Sequence, residues 1–331
     1  MESRQLGNTN LSVTPLGLGL AALGRPGYVN LGHADDLDES YAVESMQARA
    51  FGMLDAAWEA GIRYFDTARS YGRGEEFLGN WLRERDISPA AVTVGSKWGY
   101  TYTAEWQVDA TVHEVKEHSL AVLQRQTKES RTNLGKHLDL YQIHSATRES
   151  GVLENKPVLD ELARLRDSGL KIGLSLSGMG QAATLAQALE IEYNGERLFA
   201  SVQVTWNLLE KSAGETLAAA HEAGLGVIVK EAVANGRLTP RNHMSEFSAK
   251  RAVLEAAAQE LHTTIDALAL AAVLAQPWVD VVLSGVATIE HLASNLKTLD
   301  ISWNADLEAK LSELVESPEE YWGIRSGLAW N

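Results

Sequence analysis

The 331-residue chain carries 29 Lys and Arg against 44 Asp and Glu, a formal net charge of −15, and no cysteine. The acidic excess disfavours nucleic acid or an anionic membrane as partner, since both need a basic footprint, and the missing thiols exclude disulfides, thiolate catalysis and cysteine-ligated metal. With 45% hydrophobic and 22% charged residues, and neither an apolar run of about 20 residues nor the basic start and apolar stretch of a signal peptide, the chain reads as a soluble, cytoplasmic protein with a sizeable core.

In chain order, the first strand is expected at Leu16–Leu20. A long excursion follows over about Ala21–Glu44, with Pro26, several glycines and the acidic run Asp35-Asp36-Leu37-Asp38-Glu39. His33, Asp35 and Asp36 lie close together there, but no second His stands at ligand spacing, so no metal site is expected. A helix over Ser45–Ala60 would place Phe51, Leu54, Ala57 and Trp58 on one face. It ends at Glu59-Ala60-Gly61, and Gly after a helix is the usual left-handed terminator. The same joint recurs at Asp167-Ser168-Gly169 and Glu222-Ala223-Gly224, each time before a short apolar run. Repeated joints of this kind imply parallel strands with helical crossovers.

Further strands are expected at Tyr64–Asp66, Val92–Lys97, Leu138–His144, Lys171–Ser175, Ser201–Val204, Gly226–Lys230 and Val281–Leu283. A helix over Val158–Arg166 turns Leu159, Leu162 and Leu165 to one side. A second helical stretch over Ala249–Ala275 should break near Thr263, where a new helix start is possible. His113 and His118 are expected in a helical stretch, off a common face and without a role. The tail Ser317–Asn331 carries Tyr321, Trp322 and Trp330. Eight such units without a composition break predict an α/β chain folded as one closed (β/α)8 barrel domain over residues 1–331. An open dinucleotide-binding sheet is the weaker alternative, because Gly17-Leu18-Gly19-Leu20 lacks the third glycine of that fingerprint.

In a parallel barrel, catalytic side chains stand at the C-terminal ends of the strands. Asp66 ends the second strand, Tyr71 follows on its loop, Lys97 ends the third and His144 the fourth. Together they suit carbonyl reduction. Hydride addition builds charge on oxygen, so a proton donor must be close. A phenol has an ordinary pKa of about 10, and a neighbouring ammonium favours its phenolate. Asp66 can pair with Lys97, and His144 can hydrogen-bond the substrate oxygen beside Tyr71. In the oxidative direction Tyr71 serves as the base.

These segments resemble the catalytic motifs of the aldo-keto reductase superfamily, and the resemblance covers nearly the whole chain. The opening Arg4–Val13 is similar to the family's N-terminal β-hairpin, which closes the barrel bottom. Ile172-Gly173-Leu174-Ser175, Gln203 with Trp206-Asn207-Leu208-Leu209, and Ser284-Gly285 followed by Asn295 are similar to its fifth-, sixth- and eighth-strand segments. The resemblance implies Asp66, Tyr71, Lys97 and His144 as the catalytic set. It also implies a nicotinamide cofactor bound before a small carbonyl or alcohol substrate. Ser175 and Gln203 would hold the carboxamide, and Asn295 would contact the adenine.

Two departures stand out. Lys230 occupies the position where the family often stacks an aromatic ring on the nicotinamide; it could pair with Glu231 or reach the diphosphate. Between Ser284 and Asn295 there is no Lys or Arg to clamp a 2′-phosphate. Only Thr288, His291 and the helix start near Ile289 remain, with Lys297 one turn on. Family prevalence favours NADP and the local residues favour NAD, so both NADP(H) and NAD(H) stay open. Trp98, Tyr100, Trp206 and Trp322, with Trp330, are candidates for an aromatic substrate pocket. The expected function is an NAD(P)(H)-dependent oxidoreductase interconverting an aldehyde or ketone and its alcohol. The alternatives are an NAD-dependent aldose or polyol dehydrogenase, and a non-catalytic cofactor-binding regulatory subunit.

Overall fold

A computed structural model describes residues 1–38 and 40–331; Glu39 of the acidic run lies outside the described residues. Eight strands form a closed parallel barrel. They are β1 (Leu16–Gly19), β2 (Tyr64–Asp66), β3 (Thr93–Trp98), β4 (Leu138–Ala146), β5 (Lys171–Leu176), β6 (Ser201–Thr205), β7 (Gly226–Lys230) and β8 (Val281–Ser284). Each pairs with its sequence neighbour, and β8 closes on β1 with Val282 opposite Leu16.

The expected joints form as read: Gly61, Gly169 and Gly224 take φ values of 90°, 101° and 89°. A Cβ is disfavoured in that region, so glycine lets the chain leave a helix and enter a strand across only three or four residues. Thr264 also acts as expected near the helix break. Helix Ser248–Glu260 stops, and the Thr264 hydroxyl caps Ile265–Leu274 by accepting from the Ala267 N–H. Helix Lys156–Asp167 buries Leu159, Leu162 and Leu165.

At the N-terminal end of the barrel, Arg4–Gln5 pairs antiparallel with Ser12–Val13. This hairpin drives the buried side chains of Leu6 and Val13 against Tyr64, Leu140, Ile228 and Val281. The bottom is thereby plugged with apolar surface, and the opposite rim carries the openings. No helix among the described residues is long and apolar enough to cross a membrane.

One element differs from the sequence reading. His113 and His118 lie in no helix. Tyr100–Tyr102 and Glu114–Lys116 instead form an antiparallel ribbon projecting after β3. The physical reason is visible in the β-branched Thr101, Thr103, Val112 and Val115, whose side chains suit a strand better than a helix.

Candidate active site

The strand register brings the rim residues together. Gly19 lies opposite Asp66, Asp66 opposite Gly95, and Lys97 opposite Gln142. Asp66 and Lys97 are both buried and form an ion pair inside the barrel mouth. Lys97 Nζ also donates to the Thr67 carbonyl at 3.0 Å. The Asp66 carboxylate accepts from Gln203 Nε2 at 2.8 Å and from Tyr64 Oη at 3.3 Å. The pair is thus surrounded by donors, which a buried charge requires.

Tyr71 stands on the loop after β2. The Thr67 and Arg69 N–H groups donate to the carbonyls of Gly95 and Lys97, so the loop runs along the end of β3. Gly74 N–H caps the Tyr71 carbonyl at 2.8 Å. Arg69 ties the loop to Glu75 at 2.7 Å, and the buried Glu75 also accepts from Ser96 and Ser130 at 2.6 Å each. So held, Tyr71 Oη lies 3.4 Å from Lys97 Nζ.

His144 completes the cluster through an irregularity. The β4–β5 register shifts between Ile143 and Ala146. Ser145 takes a φ of 52° there and gives its N–H to Ser175 Oγ at 2.8 Å. Such a bulge re-aims a side chain, and the His144 ring meets the Tyr71 ring edge-on at 5.6 Å. Its Nδ1 faces Ser70 Oγ at 3.4 Å. Burial, with Lys97 and Lys230 adding to it, holds His144 well below the usual imidazole value, so it stays neutral.

Burial pushes the Tyr71 phenol above its ordinary value, and the Asp66 carboxylate pushes the same way. The sequence reading has Lys97 favouring the phenolate. In this state burial and the Asp66 carboxylate together outweigh that ammonium, and the phenol keeps its proton.

A cavity of about 300 Å³ opens above these residues. Asp66, Tyr71, His144, Gln203 and Lys230 line it, as do Gly285, His291 and Asn295. Thr288 is not on the cavity wall and caps the following helix, its Oγ1 accepting from His291 N–H at 3.2 Å. Ser175 is buried behind the wall, and Lys297 is exposed to solvent. Lys230 donates to Thr205 Oγ1 at 2.9 Å and lies 3.7 Å from Glu231. The closer partner of Glu231 is Arg325 of the tail, at 2.6 Å. Burial opposes the Glu231 charge, but Lys230 and Arg325 outweigh it and hold the carboxyl at about 2.

Of the aromatic candidates, Tyr100 rests against the His144 ring at 4.9 Å. None of Trp98, Tyr100, Trp206, Trp322 and Trp330 lines the cavity. Trp98 alternates with the inward-facing Lys97 and so points outward, onto His118 at 5.6 Å. Trp206 packs on Trp278 at 5.5 Å, and Trp322 packs on Tyr321 at 5.4 Å. Trp330 stacks on His113 at 4.0 Å.

Both excursions flagged in the sequence reach the cavity. Arg25, Tyr28 and Asp36 come from the first, and Arg325 from the tail. Asp36 pairs with Arg241 and lies 3.7 Å from His291 Nδ1. Asp266 is 7% exposed, lines the cavity and has no hydrogen-bond donor among the described residues. Sequence reasoning singles out neither Arg25, Glu114, Arg241, Asp266 nor Arg325. Asp266 was the most legible of these, as an acid placed just after the Thr264 cap, although helix electrostatics alone would explain it.

The sequence model described as "Aldo/keto reductase family" matches residues 15–316. Among curated relatives, an uncharacterized oxidoreductase of Bacillus subtilis, YqkF, is 26% identical over 98% of this chain and its own full length. A pyridoxal 4-dehydrogenase of Microbacterium luteolum is 28% identical over 89% of this chain and 92% of its own. Among solved structures, an aldo-keto reductase from Bacillus halodurans in its holo form superposes with a TM-score of 0.73. It is 21% identical, covers 96% of this chain and 97% of its own, and bears on the fold alone.

Proposed function

The chain belongs to the aldo/keto reductase family, and from that premise we propose that it interconverts an aldehyde or ketone and the corresponding alcohol, with Tyr71 as proton donor and NAD(H) preferred over NADP(H). The observation that carries the reading is the 3.4 Å approach of Tyr71 Oη to Lys97 Nζ on the wall of a cavity that also presents His144.

The residues present fit a nicotinamide dinucleotide. Asp266 lines the cavity with no protein donor on its carboxylate among the described residues, so it is free to accept from a ligand N–H or O–H. Gln203 spends its amide nitrogen on Asp66 and leaves its Oε1 free to accept from a carboxamide. Asn295 is fixed by its bond to Ser284 Oγ at 2.9 Å. Gln203 and Lys230 would lie along the nicotinamide end, and Asn295, His291, Asp36 and Asp266 along the adenosine end. The bound cofactor supplies or accepts the hydride.

The protein's part is the proton. His144, neutral and with Nδ1 turned to Ser70, has Nε2 available to hold the substrate oxygen. The Tyr71 phenol, still protonated, donates to that oxygen as negative charge develops. The resulting phenolate lies beside the Lys97 ammonium, which stabilises it, while Asp66 keeps Lys97 charged and in place. Oxidation of an alcohol runs the same steps in reverse.

The preference for NAD(H) rests on charge. Asp36 and Asp266 place two carboxylates at the adenosine end, and Arg241 neutralises one of them. A 2′-phosphate would meet the other without a cation from the segment Ser284–Asn295.

The test is fluorescence titration with NAD, NADP and their reduced forms, followed by turnover of an aromatic aldehyde with NADH and NADPH and of an aldose with NAD. Tighter binding of NAD(H) is expected. Tyr71→Phe should lower turnover by about 10²–10⁴-fold while cofactor affinity stays unchanged. Failure to bind any of the four nucleotides, or full turnover by Tyr71→Phe, overturns the reading.

A further inference from the structure

Arg25 is 3% exposed and lies on the cavity wall at the Tyr71 end. Three aromatic rings hold its guanidinium in place: Trp330 at 4.8 Å, Tyr71 at 5.3 Å and Tyr28 at 5.4 Å. One nitrogen, Nη1, makes all of its hydrogen bonds, to the Ser70 carbonyl at 3.0 Å and to Glu114 Oε2 at 2.8 Å. Nε is buried without an acceptor among the described residues, and Nη2 has none either.

Nε and Nη2 form one edge of the guanidinium, with two N–H groups that point the same way. This chain uses that edge elsewhere to grip carboxylates in two-point fashion. Arg73 holds Glu76 this way at 2.8 and 2.7 Å, and Arg164 holds Glu161 at 2.8 and 2.6 Å. In Arg25 the edge is vacant. Nε is a buried donor without an acceptor, which is costly unless one reaches it; Nη2 beside it is not buried, and a planar oxyanion matches the spacing of the two donors.

We propose that Arg25 is a specificity-determining residue that anchors a carboxylate of the substrate, so that the preferred substrates are carbonyl compounds carrying a carboxylate group. The proposal rests on the oxidoreductase reading of the same cavity and names its substrate class. Because the Arg25 guanidinium stands over the Tyr71 ring, a carboxylate held on its free edge brings the rest of a small substrate to the phenol. Tyr71 then acts on the carbonyl end.

The test separates binding from turnover. Calorimetric titration of the wild-type protein compares benzoate with benzyl alcohol, which share a ring and differ in charge. Benzoate should bind at least tenfold more tightly. Arg25→Met should abolish the difference, and Arg25→Lys, which keeps the charge but not the two-donor edge, should restore only part of it. In turnover, 4-carboxybenzaldehyde should exceed benzaldehyde in kcat/KM by tenfold or more, and in Arg25→Met the ratio of the two values should fall to about one, whatever change is common to both. Equal binding of the two titrants, including no binding of either, overturns the proposal. So does an Arg25→Met variant that slows both aldehydes by the same factor. Benzaldehyde turnover that depends on Tyr71 without any carboxylate preference leaves the oxidoreductase reading standing and removes only this one.

Discussion

Replacing Lys97 by Met tests the buried pair at the centre of the site, and its consequence can be worked out before any substrate is known. Asp66 and Lys97 are 2% and 1% exposed, so the change leaves a carboxylate out of water without its counter-ion. Breaking a buried pair in this way costs about 3–5 kcal/mol. The orphaned Asp66 can escape by taking up a proton. From an ordinary carboxylate value of about 3.9, that route costs about 4 kcal/mol at pH 7 and about 1.5 kcal/mol at pH 5. The donors from Gln203 and Tyr64 remain and soften the charge, so about 3–4 kcal/mol is expected at pH 7. In the variant the folded-state value of Asp66 lies above its unfolded value. The penalty is therefore full at high pH and disappears as pH falls toward the unfolded value. Urea unfolding of wild type and Lys97→Met at pH 7 and pH 5 reads this directly, and Asp66→Asn in the same background should recover part of the loss. A phenolate 3.4 Å from an ammonium gains about 5 kcal/mol at an effective dielectric of about 20, so turnover should also fall by up to about 10³–10⁴-fold. A loss below about 1 kcal/mol that does not change between pH 7 and pH 5 would refute the reasoning.

Other perturbations probe the supports of the site. Glu231 is held at about 2, below an unfolded value of about 4.3, so its stabilisation is present above pH 4 and lost as pH falls toward 2. Glu231→Gln should cost up to about 3 kcal/mol at pH 7 and almost nothing at pH 2, read by urea unfolding at both. Burial pushes Asp139 up to about 6 although it accepts from the Val94 N–H at 2.9 Å. Its charge therefore costs stability as pH rises past 4. Asp139→Asn, which can keep the acceptor, should stabilise by about 1–3 kcal/mol at pH 7, a gain that vanishes near pH 4 in thermal melts. A Cβ on Gly24 would sit 2.3 Å from the Tyr71 carbonyl oxygen and 2.7 Å from Gly74 Cα. Backbone must move to admit it, so Gly24→Ala should displace Tyr71 and lower kcat by about 10²-fold while cofactor affinity changes little, as steady-state kinetics and nucleotide titration would show.

The barrel and the residues at its strand ends were legible in the sequence because both follow local rules. Apolar runs of strand length, amphipathic helices and a glycine at three of the helix exits recur along the chain, and a parallel barrel turns every strand end toward one rim. Asp66, Tyr71, Lys97 and His144 could be read off in that way before any distance was known. Tertiary structure decided whatever depends on which segments meet. The outward turn of Trp98, the packing of Trp206 on Trp278 and the ribbon carrying Glu114 follow from alternation and neighbours that no single segment encodes. Arg25, Glu114, Asp266 and Arg325 are far apart in the chain and meet only around the cavity. Their roles arise from desolvation and from which hydrogen bonds are left unmade, and both are properties of the assembled rim. The protonated state of Tyr71 is of the same kind: burial raises the phenol first, and the Asp66 carboxylate adds to it.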